Sequence, residues 1–194
     1  MNAVDNEGFT ALYIASGKDS ASCIPLLIDG GADVNAVTDE GLTALHIASS
    51  NNSASCIPLL IDGGADVNAV NNAGGTALHI ASHFNSASCI PLLIDGGIDM
   101  NAVDNEGSTA LHVASQNNSA SCIPLLIDGG IDMNAVDDNG FTALHTASYC
   151  NSLESVPSLI ASGADMAMVS RSGKTALDVA KEQGHTAIVD LLTK

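Results

Sequence analysis

Four histidines stand 33 residues apart: His46, His79, His112 and His145. Four cysteines keep the same interval, Cys23, Cys56, Cys89 and Cys122. Two rows of aspartate follow it as well. Asp29, Asp62, Asp95 and Asp128 form one row; Asp33, Asp66, Asp99, Asp132 and Asp165 form the other. Imidazole, thiolate and carboxylate are the ligands of zinc and calcium and the working groups of nucleophilic catalysis. Whether they act as such depends on how far apart the fold holds successive copies.

The interval belongs to the whole chain. Gly8, Gly41, Gly74, Gly107, Gly140 and Gly173 are each 33 apart, and Thr-Ala-Leu follows two residues after every one. A fixed period of this size marks a stacked array in which each unit buries its apolar face only against its neighbours. In the unit 101–133, Asp-Asn-Glu-Gly reads as a turn. Thr109 then caps a first helix carrying Ala110, Leu111, Val113 and Ala114, and Asn118 ends it in the left-handed conformation. Ser119 or Ser121 caps a second helix bearing Cys122, Ile123, Leu125, Leu126 and Ile127, and Gly129-Gly130 stops it. A proline recurs inside that second helix, at Pro25, Pro58, Pro91 and Pro124. At the third helical position proline sacrifices no backbone donor. The spacing therefore predicts a helix regular only from about Ser22, with Pro25 facing outward.

At these residues the chain resembles the ankyrin repeat family. TALHIAS at Thr43, with variants at Thr76, Thr109 and Thr142, is similar to the first-helix signature. LLIDGGADVNAV, from Leu26 or Leu59, is similar to the segment after the second helix. The resemblance implies an all-α repeat solenoid: stacked helix-turn-helix repeats joined by β-hairpin-like loops. It implies a single domain over 1–194, with repeats at about 1–34, 35–67, 68–100, 101–133 and 134–166 and a C-terminal cap at 167–194. The family's proline after Thr is alanine here, and its Gly-His between helices is Asn-Ser in repeats two to five. Lys181, Glu182 and Asp190 give the last repeat the polar face a terminal cap needs. The resemblance also implies that His46, His79, His112 and His145 are internal hydrogen-bonding groups tying adjacent units. Leu27 to Asn35 and Leu60 to Asn68 resemble ankyrin segments modified by an asparaginyl hydroxylase. Met1 falls inside a hairpin segment with no clear cap before it. This leaves an alternative in which the chain is the targeting or substrate-recruiting segment of a larger enzyme or effector.

The stack answers the metal question. Equivalent atoms of packed helices lie ~8–10 Å apart, whereas two imidazoles on one zinc need nitrogens ~2 Å from the ion. A disulfide needs Cα atoms within ~7 Å, so the cysteine row is expected to be buried small apolar residues. Cys150 breaks the row beside Tyr149, with no base placed by motif to activate it. An EF-hand reading from Asp99 fails at Val103, the fifth position. The second aspartate row is expected to tie down hairpin backbone. No nucleophile–base pair, phosphate loop or metal set appears, so the expectation is a non-enzyme without cofactor or metal.

Charge narrows the partners. The net charge is −17, and the Lys and Arg residues are Lys18, Arg171, Lys174, Lys181 and Lys194. Residues 19–170 hold 17 acidic side chains and no basic one. Nucleic-acid binding needs cations to displace counterions, and anionic membranes need them too, so both classes are excluded. There is no run of ~18 apolar residues and no basic, apolar leader at the N-terminus. The five cysteines then point to a reducing, cytoplasmic setting. The expected role is a monomeric, non-catalytic module that holds a basic protein partner.

Internal comparison of repeats locates the surface. The second helix hardly varies in the first four repeats, which assigns it to the scaffold. Variation gathers after the glycine (Phe9, Leu42, Gly75, Ser108, Phe141, Lys174) and at the end of the first helix, and the aromatics fall there. Exposed aromatics anchor interfaces. In the family these positions line the concave groove. The resemblance thus points to His83, Phe84, Phe141, Tyr149 and Cys150 as one patch, with Gln116 and Asn117 between.

Overall fold

The structure, a computed structural model, describes residues 2–5 and 8–193. It divides into two compact units. The N-terminal unit, 1–99, holds α1 (Ala11–Gly17), α2 (Cys23–Asp29), α3 (Ala44–Ser50), α4 (Ile57–Asp62), α5 (Ala77–His83) and α6 (Ile90–Asp95). The C-terminal unit, 100–194, holds α7 (Ala110–Gln116), α8 (Ile123–Asp128), α9 (Ala143–Tyr149), α10 (Ser155–Ala161), α11 (Ala176–Gln183) and α12 (Thr186–Leu192). The described residues contain no strand, only an isolated bridge between Val4 and Thr10. This is the all-α repeat solenoid that the family resemblance implies.

Within the N-terminal unit α1, α3 and α5 pack in one row and α2, α4 and α6 in another. In the C-terminal unit the rows are α7, α9, α11 and α8, α10, α12. Helices of six to eight residues are not stable alone; packing holds them. Leu45, Leu78, Ile57, Ile90 and Leu60 are fully buried in the first unit, and Leu111, Leu144, Ile123 and Leu126 in the second. Burying each such side chain contributes ~1.5–3 kcal/mol.

Each first helix starts at its threonine, which is extended and serves as N-cap, as at Thr43 and Thr142. Each is followed by one residue at positive φ: Asp19, Asn52, Asn85, Asn118 and Asn151, with Gly184 in the last repeat. The second helix departs from expectation. Neither Ser119 nor Ser121 caps it. The residue before α8 is Cys122, in helical conformation and making no side-chain cap bond. The serines instead tie repeats together. Ser86 Oγ donates to the Ser50 carbonyl at 3.4 Å, and Ser55 Oγ to Asp19 at 2.6 Å. A cap does form before α10, but it comes from the preceding repeat. Asn118 Oδ1 accepts the N–H groups of Glu154 (2.9 Å) and Ser155 (3.0 Å).

The prolines behave as their position requires. Before α2, Cys23 N–H reaches Ser20 and Ile24 N–H reaches Ala21, the three-residue bonds of a tighter turn, and Pro25 is exposed. In α4, α6 and α8 proline sits at the second helical position. Cys56, Cys89 and Cys122 are buried, but Cys23 is exposed, contrary to the expectation for the whole row. In the first repeat Cys23 and Leu26 line an apolar surface with Ile14. The second-row aspartates hold their loops: Asp33, Asp66 and Asp132 accept the N–H two residues on, at 2.9–3.0 Å. Lys181, Glu182 and Asp190 are exposed on the last repeat.

Candidate functional site

The histidine row is spent on the scaffold. Thr43, Thr109 and Thr142 each donate their backbone N–H to the Nδ1 of the histidine three residues on, at 3.1–3.2 Å. Because an N–H can only donate, Nδ1 accepts and Nε2 carries the proton. His46 Nε2 then donates to the Gly75 carbonyl at 3.1 Å within the first unit. In the second, His112 Nε2 donates to Phe141 (2.8 Å) and His145 Nε2 to Lys174 (3.0 Å). Thr76 likewise donates its N–H to His79 Nδ1 at 3.2 Å. His46, His112 and His145 thus each link a helix start to the turn of the next repeat. Burial lowers the pKa of His46, His112 and His145, because charging a desolvated ring is unfavourable. Among the described residues no His, Cys, Asp and Glu cluster could hold a metal ion.

The five thiols are free. Burial pushes Cys56 and Cys122 up to about 11, and for Cys56 the nearby Asp19 carboxylate adds to this. Burial raises Cys150 too, although the residue is exposed at the end of α9, so it lacks the depressed pKa of an activated nucleophile.

The C-terminal unit contains a groove of about 680 Å³. Gln116, Phe141, Tyr149 and Cys150, all singled out from the sequence, line it. Phe141 follows the turn before α9 and is half-buried, stacked on His145 with ring centres 5.5 Å apart. Tyr149, in the last turn of α9, stands 6.3 Å from Phe141 and is half exposed. Asn117 is not part of the groove; its Nδ2 turns back to the Val113 carbonyl at 2.9 Å. His83 and Phe84 lie in the N-terminal unit at the end of α5, both exposed, with rings in edge contact at 4.6 Å.

The sequence reading missed the turn residues that line the groove. Glu106, Asp138, Asn139 and Arg171 line it from the turns. These turns are stacked: Asp138 N–H donates to Glu106 C=O, and Arg171 N–H to Asn139 C=O, both at 3.2 Å. Gly140 permits the approach. It has φ +74°, and a Cβ there would stand 2.7 Å from the Arg171 backbone nitrogen. The signal for these residues was present. The column Asp39, Asn72, Asn105, Asp138, Arg171 varies less than the helix ends do, but it changes charge, from neutral to negative to positive.

Stacked helix pairs that consume their own histidines and leave aromatic and charged side chains around an open groove define a repeat-built binding scaffold. The chain belongs to the ankyrin repeat family. The family model for ankyrin repeats (3 copies) matches residues 1–71, 49–137, 78–170 and 122–194, which together span the chain. Among solved structures it is similar to the ankyrin repeat domain of Bcl-3, a member of the IkappaB protein family. The two share 34% identity and a TM-score of 0.84 over 100% of this chain and 86% of that one. No curated protein sequence matches the chain. Ankyrin repeats are protein–protein interaction modules. Among the described residues no helix is long and apolar enough to cross a membrane.

Proposed function

We propose that the chain is a non-catalytic, intracellular, monomeric module that holds a basic protein partner. Gln116, Phe141, Tyr149 and Cys150 make the main contacts, and His83 and Phe84 form a second contact in the N-terminal unit. The observation that carries this reading is the groove itself. Phe141 and Tyr149 present large rings to solvent around an open cleft, where a partner side chain can bury against them. The acidic excess, 22 carboxylates against five Lys and Arg, favours a basic partner through its long-range field.

The test is position-specific. A photo-crosslinking residue is placed at Gln116, and in a second protein at Pro124, which is exposed on α8. The reading expects one partner to crosslink from Gln116 and not from Pro124, and to be lost in Tyr149→Ala and Phe141→Ala. Equal crosslinking from both positions, or a partner indifferent to both alanines, overturns it.

A further inference from the structure

From the groove walls we infer a seat for a single cationic side chain, an arginine or lysine of the partner, with Arg171 as a built-in opposing charge. The inference rests on the groove being the binding surface and names the chemistry it selects.

The carboxylates of Glu106 and Asp138 make no hydrogen bond or ion pair with any described residue, yet both line the groove. The reason is chemical. At the equivalent place in the third repeat, Asn72 donates its Nδ2 to the Asp39 carbonyl at 2.9 Å and so closes onto the stack. A carboxylate has no proton to donate, so Asp138 cannot make that bond, and its charge is left to the groove. Asp137 differs from these two. Its Oδ1 accepts the N–H groups of Asn139 and Phe141 at 2.8 Å and serves the turn. The rings of Phe141 and Tyr149 line the same groove as the two carboxylates. Carboxylates paired with aromatic faces form the environment that holds a guanidinium or ammonium group while its aliphatic stem lies on the rings.

Arg171 is the arginine of the chain, exposed on the same wall, and its guanidinium has no ion-pair or hydrogen-bond partner among the described residues. It does not neutralise Glu106 or Asp138 by contact. Its field nevertheless opposes an incoming cation. Removing it should tighten a cationic ligand, whereas it would weaken an anionic one. The sign of that change identifies the ligand.

The probes are fluorescein-labelled Gly-Ser peptides carrying a central Arg-Leu-Lys, Glu-Leu-Asp or Gly-Leu-Gly, titrated by anisotropy at low and physiological salt. The expected result is binding of the basic peptide alone. Glu106→Gln with Asp138→Asn weakens it about tenfold or more, in the range of close charge pairs. Tyr149→Ala weakens it about threefold or more, as for a cation over a ring. Arg171→Ala tightens it about twofold. A control removing two charges outside the groove, Asp128→Asn with Asp190→Asn, changes it less than about twofold. All these side chains are exposed, so unchanged thermal melting is expected and confirms that each variant is folded.

Equal weakening by the control and groove pairs reduces the effect to the general acidic field and overturns the seat. So does weaker binding in Arg171→Ala, or preference for the acidic peptide. If Gln116 crosslinks a partner while no basic peptide binds, the cation assignment fails and the groove reading stands. If neither occurs, both fail.

Discussion

In the third repeat the turn before α5 reads Asn71-Asn72-Ala73-Gly74-Gly75; in the fifth, before α9, it reads Asp137-Asp138-Asn139-Gly140-Phe141. The two backbones are held identically. Asn71 Oδ1 accepts the N–H groups of Ala73 (3.0 Å) and Gly75 (2.9 Å), and Asp137 Oδ1 accepts those of Asn139 and Phe141 at 2.8 Å. Asn72 N–H reaches the Glu40 carbonyl at 3.1 Å as Asp138 N–H reaches that of Glu106 at 3.2 Å. The scaffold needs a side-chain oxygen at the first position and accepts either residue. At the second position it needs only the backbone. The difference therefore appears in the second side chain: an amide tied to a carbonyl in one repeat, a carboxylate with no partner among the described residues in the other. The third repeat ends its helix on His83 and Phe84 but has no ring at Gly75; the fifth has Phe141 and Tyr149 together.

The strongest way to break this comparison is through the shared core. Leu78→Ala and Leu144→Ala each remove a fully buried side chain from equivalent positions, and each should cost about 2–5 kcal/mol in urea unfolding. A gap of several kcal/mol between them would show that the scaffolds are not equivalent. Next is the ladder. His46→Ala and His112→Ala each leave a turn carbonyl and a helix-start N–H without their imidazole, and should cost about 1–3 kcal/mol. Loss of less than half a kcal/mol in either would mean that water replaces the ring freely.

Acid acts on the same ladder, more gently. The folded pKa values of His46, His112 and His145 lie below the unfolded value near 6.5, so between those values the unfolded chain binds more protons. The stability is complete above about pH 6.5 and is lost as pH falls below it. The melting temperature should drop between pH 7 and pH 5, where carboxylates still stay ionised, and His46→Ala or His112→Ala should flatten that slope. A melting temperature flat over this range would refute the assignment. The smallest effect sharpens the comparison itself. Gly75→Phe places a ring where a Cβ meets its nearest atom, Asn71 Oδ1, at 3.4 Å, an ordinary contact. It should change stability by less than about 0.5–1 kcal/mol. It should also fail to add a second site for the basic peptide, because Asn72 stands where the fifth repeat has Asp138 and Glu40 alone remains of the carboxylate pair.

Much of this was legible without coordinates. The threonine starts, the left-handed residues after the first helices and the outward prolines follow from local rules applied at one copied position. Phe141, Tyr149, Cys150 and Gln116 stood out because they were not copied. Two local readings failed for a common reason. Ser119 and Ser121 looked like caps of α8, but Cys122 precedes that helix without a side-chain cap bond, and where a cap does form, before α10, Asn118 supplies it from the preceding repeat. Cys23 looked buried by analogy, but among the described residues it lies exposed on a surface it shares with Ile14 and Leu26.

The sequence by itself determined the fold. A 33-residue period makes every unit bury the same face against its neighbours, and one pattern of Gly, Thr and Leu satisfies it six times. Only the tertiary structure decided the groove wall. Glu106 and Asp138 are 32 positions apart, yet a backbone hydrogen bond of 3.2 Å joins them. That contact exists because stacking sets turn upon turn, and a side chain is left to bind a partner only where the stack has not already taken its hydrogen bonds.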